Sequence, residues 1–189
     1  MHWPFGFRYE LGGDAESSQK GNQSIADKLP IAVFIILFLL VAQFNSIRKP
    51  IIILTTIPLG LIGVTAGLLL GQSFFGFMTL LGIISLAGIV INNAIVLLER
   101  IQLEMDELGL SPYEAIIAGA QKRFRPILLT TATTVLGLIP LYLGGGEMWE
   151  PMAITIMAGL LFSTLLTLGV VPVLYALLFR VRATDNGHS

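Results

Sequence analysis

The 189-residue chain has no cysteine, only two histidines and few charges. The missing cysteines exclude disulfides and thiolate metal sites. His2 and His188 lie in the terminal tails, far from any cluster of metal-ligating residues, so nothing in the sequence points to a metal or other cofactor. Charged residues make up 12% of the chain, against about 25% in soluble domains. The net charge of −1 leaves no electrostatic case for nucleic acid or for a polybasic membrane patch. Met1 to Leu29 is polar and mixed, without the apolar core of a signal peptide. It is expected to be the end of an extramembrane domain of something larger.

What the chain has is apolar residues, 54% of the total, with a mean hydropathy of +0.83. They come in long runs rather than in an amphipathic period, which is the pattern a bilayer solvent requires. Five runs stand out: Leu29 to Phe44, Ile51 to Leu70, Phe74 to Leu98, Phe124 to Leu143 and Met152 to Phe179. Most approach or exceed the ~20 residues that a helix needs to span hydrocarbon. Backbone polar groups in lipid must be satisfied within the segment, so these runs predict helices. The first is short, and Ser24-x-x-Asp27 predicts a cap that starts it before the membrane surface.

Arg48, Lys49, Arg100, Lys122, Arg123, Arg125, Arg180 and Arg182 fall on one set of connections, whereas the short loops Gly71 to Phe77 and Leu143 to Pro151 hold no Lys or Arg. The positive-inside rule then predicts a cytoplasmic C-terminus and an N-terminal tail outside. Ser111-Pro112-Tyr113-Glu114 is a capping box with proline at the first helical position. It predicts an amphipathic helix at the inner surface that leads into the fourth crossing, with Gly109 ending the helix before it. The organisation expected is an all-α integral membrane protein. Residues 1–23 would be the end of a periplasmic domain and linker, 24–182 a five-helix membrane domain with one amphipathic cytoplasmic helix, and 183–189 a tail.

Several polar or small residues stand out against this background. Gly63, Gly67 and Gly71 recur every four residues on the second helix, a spacing that lets helices approach closely in lipid. Pro58, Pro140 and Pro172 fall inside or near the ends of runs and are expected to kink or end helices. Asn92 and Asn93 lie deep in the third crossing, where an unpaired carboxamide costs several kcal/mol. They serve either as interhelical glue or in an ion path. Arg123 and Thr130 are seven residues apart and share a helix face. Arg123 either snorkels to the surface or reaches inward for an acid. No acid of this chain lies at mid-membrane depth, and Glu99 is expected at an exposed helix end. The Gly144-Gly145-Gly146 run lacks the Lys and Ser/Thr of a phosphate loop, and no nucleophile-base pair appears, so an enzyme is not expected.

These residues together resemble the last five membrane helices of a resistance-nodulation-division (RND) efflux permease of the acriflavin-resistance, hydrophobe-amphiphile type. Tyr9 to Glu16 is similar to the last strand of that family's second periplasmic domain. Ala42-Gln43-Phe44-Asn45-Ser46 with Pro50 and Ile57-Pro58-Leu59 resembles the turn between helices eight and nine. Gly88 to Leu97 is similar to helix ten, Arg123 to Thr131 to the start of helix eleven, and Gly159-Leu160-Leu161, Ser163-Thr164 and Val171 to Tyr175 to helix twelve. The resemblance implies half of an RND-type bundle whose other half is missing, and an inner-membrane homotrimer with a periplasmic adaptor and an outer-membrane channel as partners. It further implies export driven by proton antiport. The relay positions fall on Asn92, Arg123 and Thr130, with Asn93 adjacent, facing acids on the absent fourth helix. Many drug exporters of the family have lysine where this chain has Asn92, which offers a hydrogen bond but no change of charge. Multidrug export is the expectation; a lipid or metal-ion exporter and a non-transporting scaffold are the alternatives. The six methionines are scattered, which weighs against metal.

Overall fold

In the computed structural model, residues 14–181 are described. They form five helices: α1 (Asp14–Phe44), α2 (Arg48–Leu70), α3 (Phe77–Asp106), α4 (Pro112–Gly144) and α5 (Gly146–Leu178). No strand occurs among the described residues. All five are long and apolar enough to cross a membrane. The chain divides into two compact units, Met1–Leu39 and Leu40–Ser189.

In the first unit, α1 presents its apolar side chains outward, with Phe34 71% and Phe38 65% exposed. Such a surface is suited to lipid or to another protein, not to water. The helix starts at Asp14, ten residues before the expected cap, so Ser24 is an interior residue and caps nothing. Of Tyr9 to Glu16, the stretch expected as a strand, residues 9–13 lie outside the described residues and 14–16 open the helix.

The second unit is a bundle. Its ends are set by local chemistry. Ser111 Oγ accepts from the Glu114 amide at 3.4 Å and Glu114 Oε2 accepts from the Ser111 amide at 3.2 Å, closing the expected capping box. Gly109, at φ +63°, takes the left-handed turn that follows α3. The amphipathic stretch after Ser111 runs without a break into the fourth crossing, so α4 has 33 residues, about 50 Å at 1.5 Å per residue. That exceeds a hydrocarbon core of ~30 Å. The expected loop from Leu143 to Pro151 shrinks to Gly145, because Gly146 turns the chain at φ +71° straight into α5. Pro58, Pro140 and Pro172 all lie within uninterrupted helices and end none of them.

Two apolar clusters hold the bundle. One joins Val64, Leu86, Val90 and Leu160 of α2, α3 and α5. The other gathers Leu40, Phe44, Ile52, Ile53, Leu97, Leu98, Ile101, Ile116 and Tyr175 toward the end where α1 finishes and α2 begins. This end carries most of the charges and is called the charged end below. Between α2 and α5 the contact is backbone-close. A methyl group at Gly63 would sit 2.4 Å from Phe162 Cβ and 2.8 Å from the Ala158 carbonyl oxygen. At Gly67 it would meet Ala158 Cβ at 2.3 Å, and at Gly71 Ile154 Cδ1 at 2.1 Å.

Candidate functional site

The polar residues of α3 and α4 have two different environments. On α3, Val90, Asn93, Ala94, Leu97 and Ile101 are buried, so Asn93 points into the bundle. Asn92 is exposed and continues the line of Ser85 and Gly88 on the outer face. Adjacent positions on a helix differ by ~100°, so the two asparagines cannot share an environment. On α4, Thr130, Thr133 and Leu129 are exposed, while Ile127 and Thr131 are buried. The Thr130 hydroxyl donates to the Pro126 carbonyl at 2.9 Å, and those of Thr133 and Thr134 to the Thr130 carbonyl. These hydroxyls satisfy their donors within their own helix and leave acceptor capacity facing outward.

Arg123 is half-buried, and its Nε is enclosed with no hydrogen-bond partner among the described residues. Its level is set by the closest approach of α3 and α4. A methyl at Gly119 would meet Ile101 Cγ1 at 2.8 Å and Ile101 Cα at 3.1 Å. From that point the antiparallel helices rise about 1.5 Å per residue in opposite directions. Asn92 and Asn93 then come level with Leu128 and Ile127, between Arg123 and Thr130. The latter two are about 10 Å apart along α4 by the same rise. Asn92, Arg123 and Thr130 thus occupy one stretch of the α3/α4 hairpin. No hydrogen bond joins them among the described residues. The hairpin thus carries an uncovered asparagine, a row of threonines and an arginine whose Nε has no hydrogen-bond partner among the described residues.

The charged end holds a constellation that the sequence did not expose. Glu104 is fully buried. Lys122 Nζ donates to both of its carboxylate oxygens, at 2.7 and 2.9 Å, and Arg100 Nη2 lies 2.6 Å from Oε1. The spacing of Arg100 and Glu104 by four was a readable signal; Lys122 comes from across the hairpin and was not. Glu99 is not at a helix end. The helix α3 runs seven residues past it, and Glu99 is partly buried and accepts from Gln43 Nε2 at 2.9 Å. Lys49 is buried, donates to Gln102 Oε1 and lies 5.4 Å from the Phe44 ring centroid. Arg48 lies over Phe179 at 5.8 Å.

A third polar contact crosses from α4 to α5, where the buried hydroxyls of Thr131 and Thr164 are 2.8 Å apart.

Known proteins are similar to this chain in sequence and in this bundle. The model of the AcrB/AcrD/AcrF family matches residues 1–179. The swarming motility protein SwrC of Bacillus subtilis (strain 168) is 37% identical over 160 residues, 82% of this chain and 15% of its own length. The multidrug resistance protein MdtC of Klebsiella pneumoniae (strain 342) is 35% identical over 190 residues, 98% of this chain and 18% of its own. A crystal structure of a heavy metal efflux pump superposes with a TM-score of 0.76 at 31% identity, covering 92% of this chain and 18% of that one. The chain therefore spans less than a fifth of the length of the relatives it matches. A family model matched over almost the whole sequence, with this bundle beneath it, places the chain in the AcrB/AcrD/AcrF family of RND efflux permeases.

Proposed function

We propose that this chain is the C-terminal membrane part of a proton-driven permease and supplies one side of its proton relay. Export of drugs or other amphiphiles is the favoured activity. The observation that carries the reading is the polar face of the α3/α4 hairpin. Asn92 and Thr130 are exposed on helices apolar enough to cross a membrane, and Arg123 holds a buried, partnerless Nε between them and the charged end. Lipid does not satisfy such a face, whereas a helix bearing a carboxylate does. An ionised acid there is held by Arg123 and hydrogen-bonded by Asn92. Protonation removes that attraction and lets the helices shift, which is the two-state element coupling needs. Asn92 exchanges no charge itself, so the electrostatic work falls on Arg123.

By family resemblance the permease would sit in the inner membrane as a homotrimer with a periplasmic adaptor and an outer-membrane channel. The distribution of Lys and Arg supports a cytoplasmic charged end. Reporter fusions at Gly109 and Gly145 are expected on opposite sides, Gly109 inside. The relay is tested in a complete permease carrying this segment. Arg123→Ala is expected to abolish export at normal membrane abundance, and Arg123→Lys to restore it in part, because lysine keeps the charge and loses the planar fork. Normal export by Arg123→Ala would end the assignment.

Metal export is the second reading, favoured by the superposition on a heavy metal pump. The multidrug protein and the metal pump match this segment at 35% and 31% identity, so the segment itself does not separate their cargoes. Dye export and divalent-metal resistance assays on the same permease decide between them.

A further inference from the structure

Resting on the relay reading, we propose that Glu104 is a positioning residue for Arg123. It is the buried anion that clamps the start of α4 onto the end of α3 and so fixes where the guanidinium stands. Glu104 is completely enclosed and lies between two cations, Arg100 of its own helix at 2.6 Å and Lys122 of α4 at 2.7 and 2.9 Å. Lys122 is the residue next to Arg123, so the rotation of α4 that brings one to Glu104 sets the direction of the other.

The second constraint on the same turn is steric. Gly119 packs on the Ile101 backbone, one turn before Arg123 on the same face of α4. A contact of this kind limits how close the helices come, but not rotation away from it. The ion cluster supplies the other constraint, because Lys122, on a flexible stem and 48% exposed, keeps both contacts to the enclosed Glu104 only while its turn of α4 faces α3. Removing the negative charge does more than delete a contact. It leaves Arg100 and Lys122, both drawn to the same point, as neighbouring like charges without a counter-ion. Arg100 and Lys122 are 26% and 48% exposed, so they turn toward water and the start of α4 loses its tie to α3.

The chain has no native cysteine, so a single introduced thiol reports without background. In the 189-residue chain in membranes, an Arg123→Cys thiol is expected to react slowly with a maleimide, since the Arg123 side chain is partly enclosed. Adding Glu104→Gln, an isostere without charge, is expected to raise that rate several-fold. Glu104→Asp should raise it less. A Leu160→Cys thiol, at a fully buried position in the other apolar cluster, should stay protected in all of them. An unchanged rate at Arg123→Cys overturns the clamp. A rise at both thiols also overturns it, because that is general loosening.

The transport arm uses the complete permease. Glu104→Gln is expected to lower export on the order of ten- to a hundred-fold at normal abundance, the range seen when a supporting contact lets a working group drift. Glu104→Asp should recover part of it. Normal export by Glu104→Gln, in a permease that Arg123→Ala inactivates, overturns the positioning role alone. Normal export by Arg123→Ala overturns the relay reading instead, and the labelling result still reports on the clamp.

Discussion

Two groups of helical glycines in this bundle differ in what surrounds them, and the sequence marks only the first by its four-residue spacing. Along α2, Gly63 and Gly67 are pressed against α5, where a methyl would come within 2.4 and 2.3 Å of Phe162 and Ala158. On the outer faces of α3 and α4, Gly88 and Gly137 have nothing within 4 Å of the same position. In lipid, small residues earn their place by letting another backbone approach. The first group has its partner in this chain. The second lies beside Asn92 and the threonine row, on the face that the relay reading assigns to an acid-bearing helix. Occupied and unoccupied versions of one device sit on one molecule, and substitution should separate them.

The largest effect is expected at the occupied seam. Gly67→Leu puts a branched side chain where not even a methyl fits, because Ala158 Cβ stands 2.3 Å from its Cβ position. Overpacking of ordinary cores costs about 1–3 kcal/mol, and backbone-close helices have less room to relax. The variant is expected to lose the folded bundle, seen as loss of a cooperative thermal transition in detergent. Retention of a wild-type midpoint would show that the α2/α5 seam is looser than described.

Next in size is the open face. Gly88→Leu is expected to leave the bundle of this chain intact, with an unchanged thermal transition. In a complete permease it should cut export about ten-fold or more, equivalent to ~1.4 kcal/mol or more of lost helix docking. The comparison breaks if Gly88→Leu destabilises the isolated chain as Gly67→Leu does, or if it leaves export untouched.

The contrast also marks what a sequence can disclose. Five crossings and the Ser111 capping box are legible because run length and cap chemistry are local. The start of α1 is not, since Asp14 to Gln23 has no apolar period and only its helical neighbour extends it. Nor is the division between Asn92 and Asn93. On a helix apolar all round, periodicity does not say which side meets protein, and packing against α4 and α5 decides it. Glu104 shows a third limit. Its i,i+4 partner Arg100 is visible, but its burial depends on Lys122, 18 residues on, arriving across a hairpin. Of the candidate site, the residue types and depth were readable. The direction each side chain faces was a product of tertiary packing.

The smallest effect belongs to the buried hydroxyl pair between α4 and α5. Thr131 and Thr164 are 3% exposed each and 2.8 Å apart. Either hydroxyl can donate, and removing one leaves the other without its partner in an apolar interface. Membrane double-mutant cycles place such bonds at about 0.6 kcal/mol on average and ~1.7 at most, because a lone threonine falls back on its own helix carbonyl. Valine keeps the shape and deletes the hydroxyl. The single variants Thr131→Val and Thr164→Val and the double variant should therefore show a coupling near 0.6 kcal/mol in chemical unfolding of the chain. That bond ties α4 to α5 through the buried neighbour of the exposed Thr130. A coupling within error of zero would leave α4 held by apolar contact and the Glu104 cluster alone. A coupling well above 1.7 would make the hydroxyl pair, rather than the charged end, the principal polar anchor of the helix that carries Arg123.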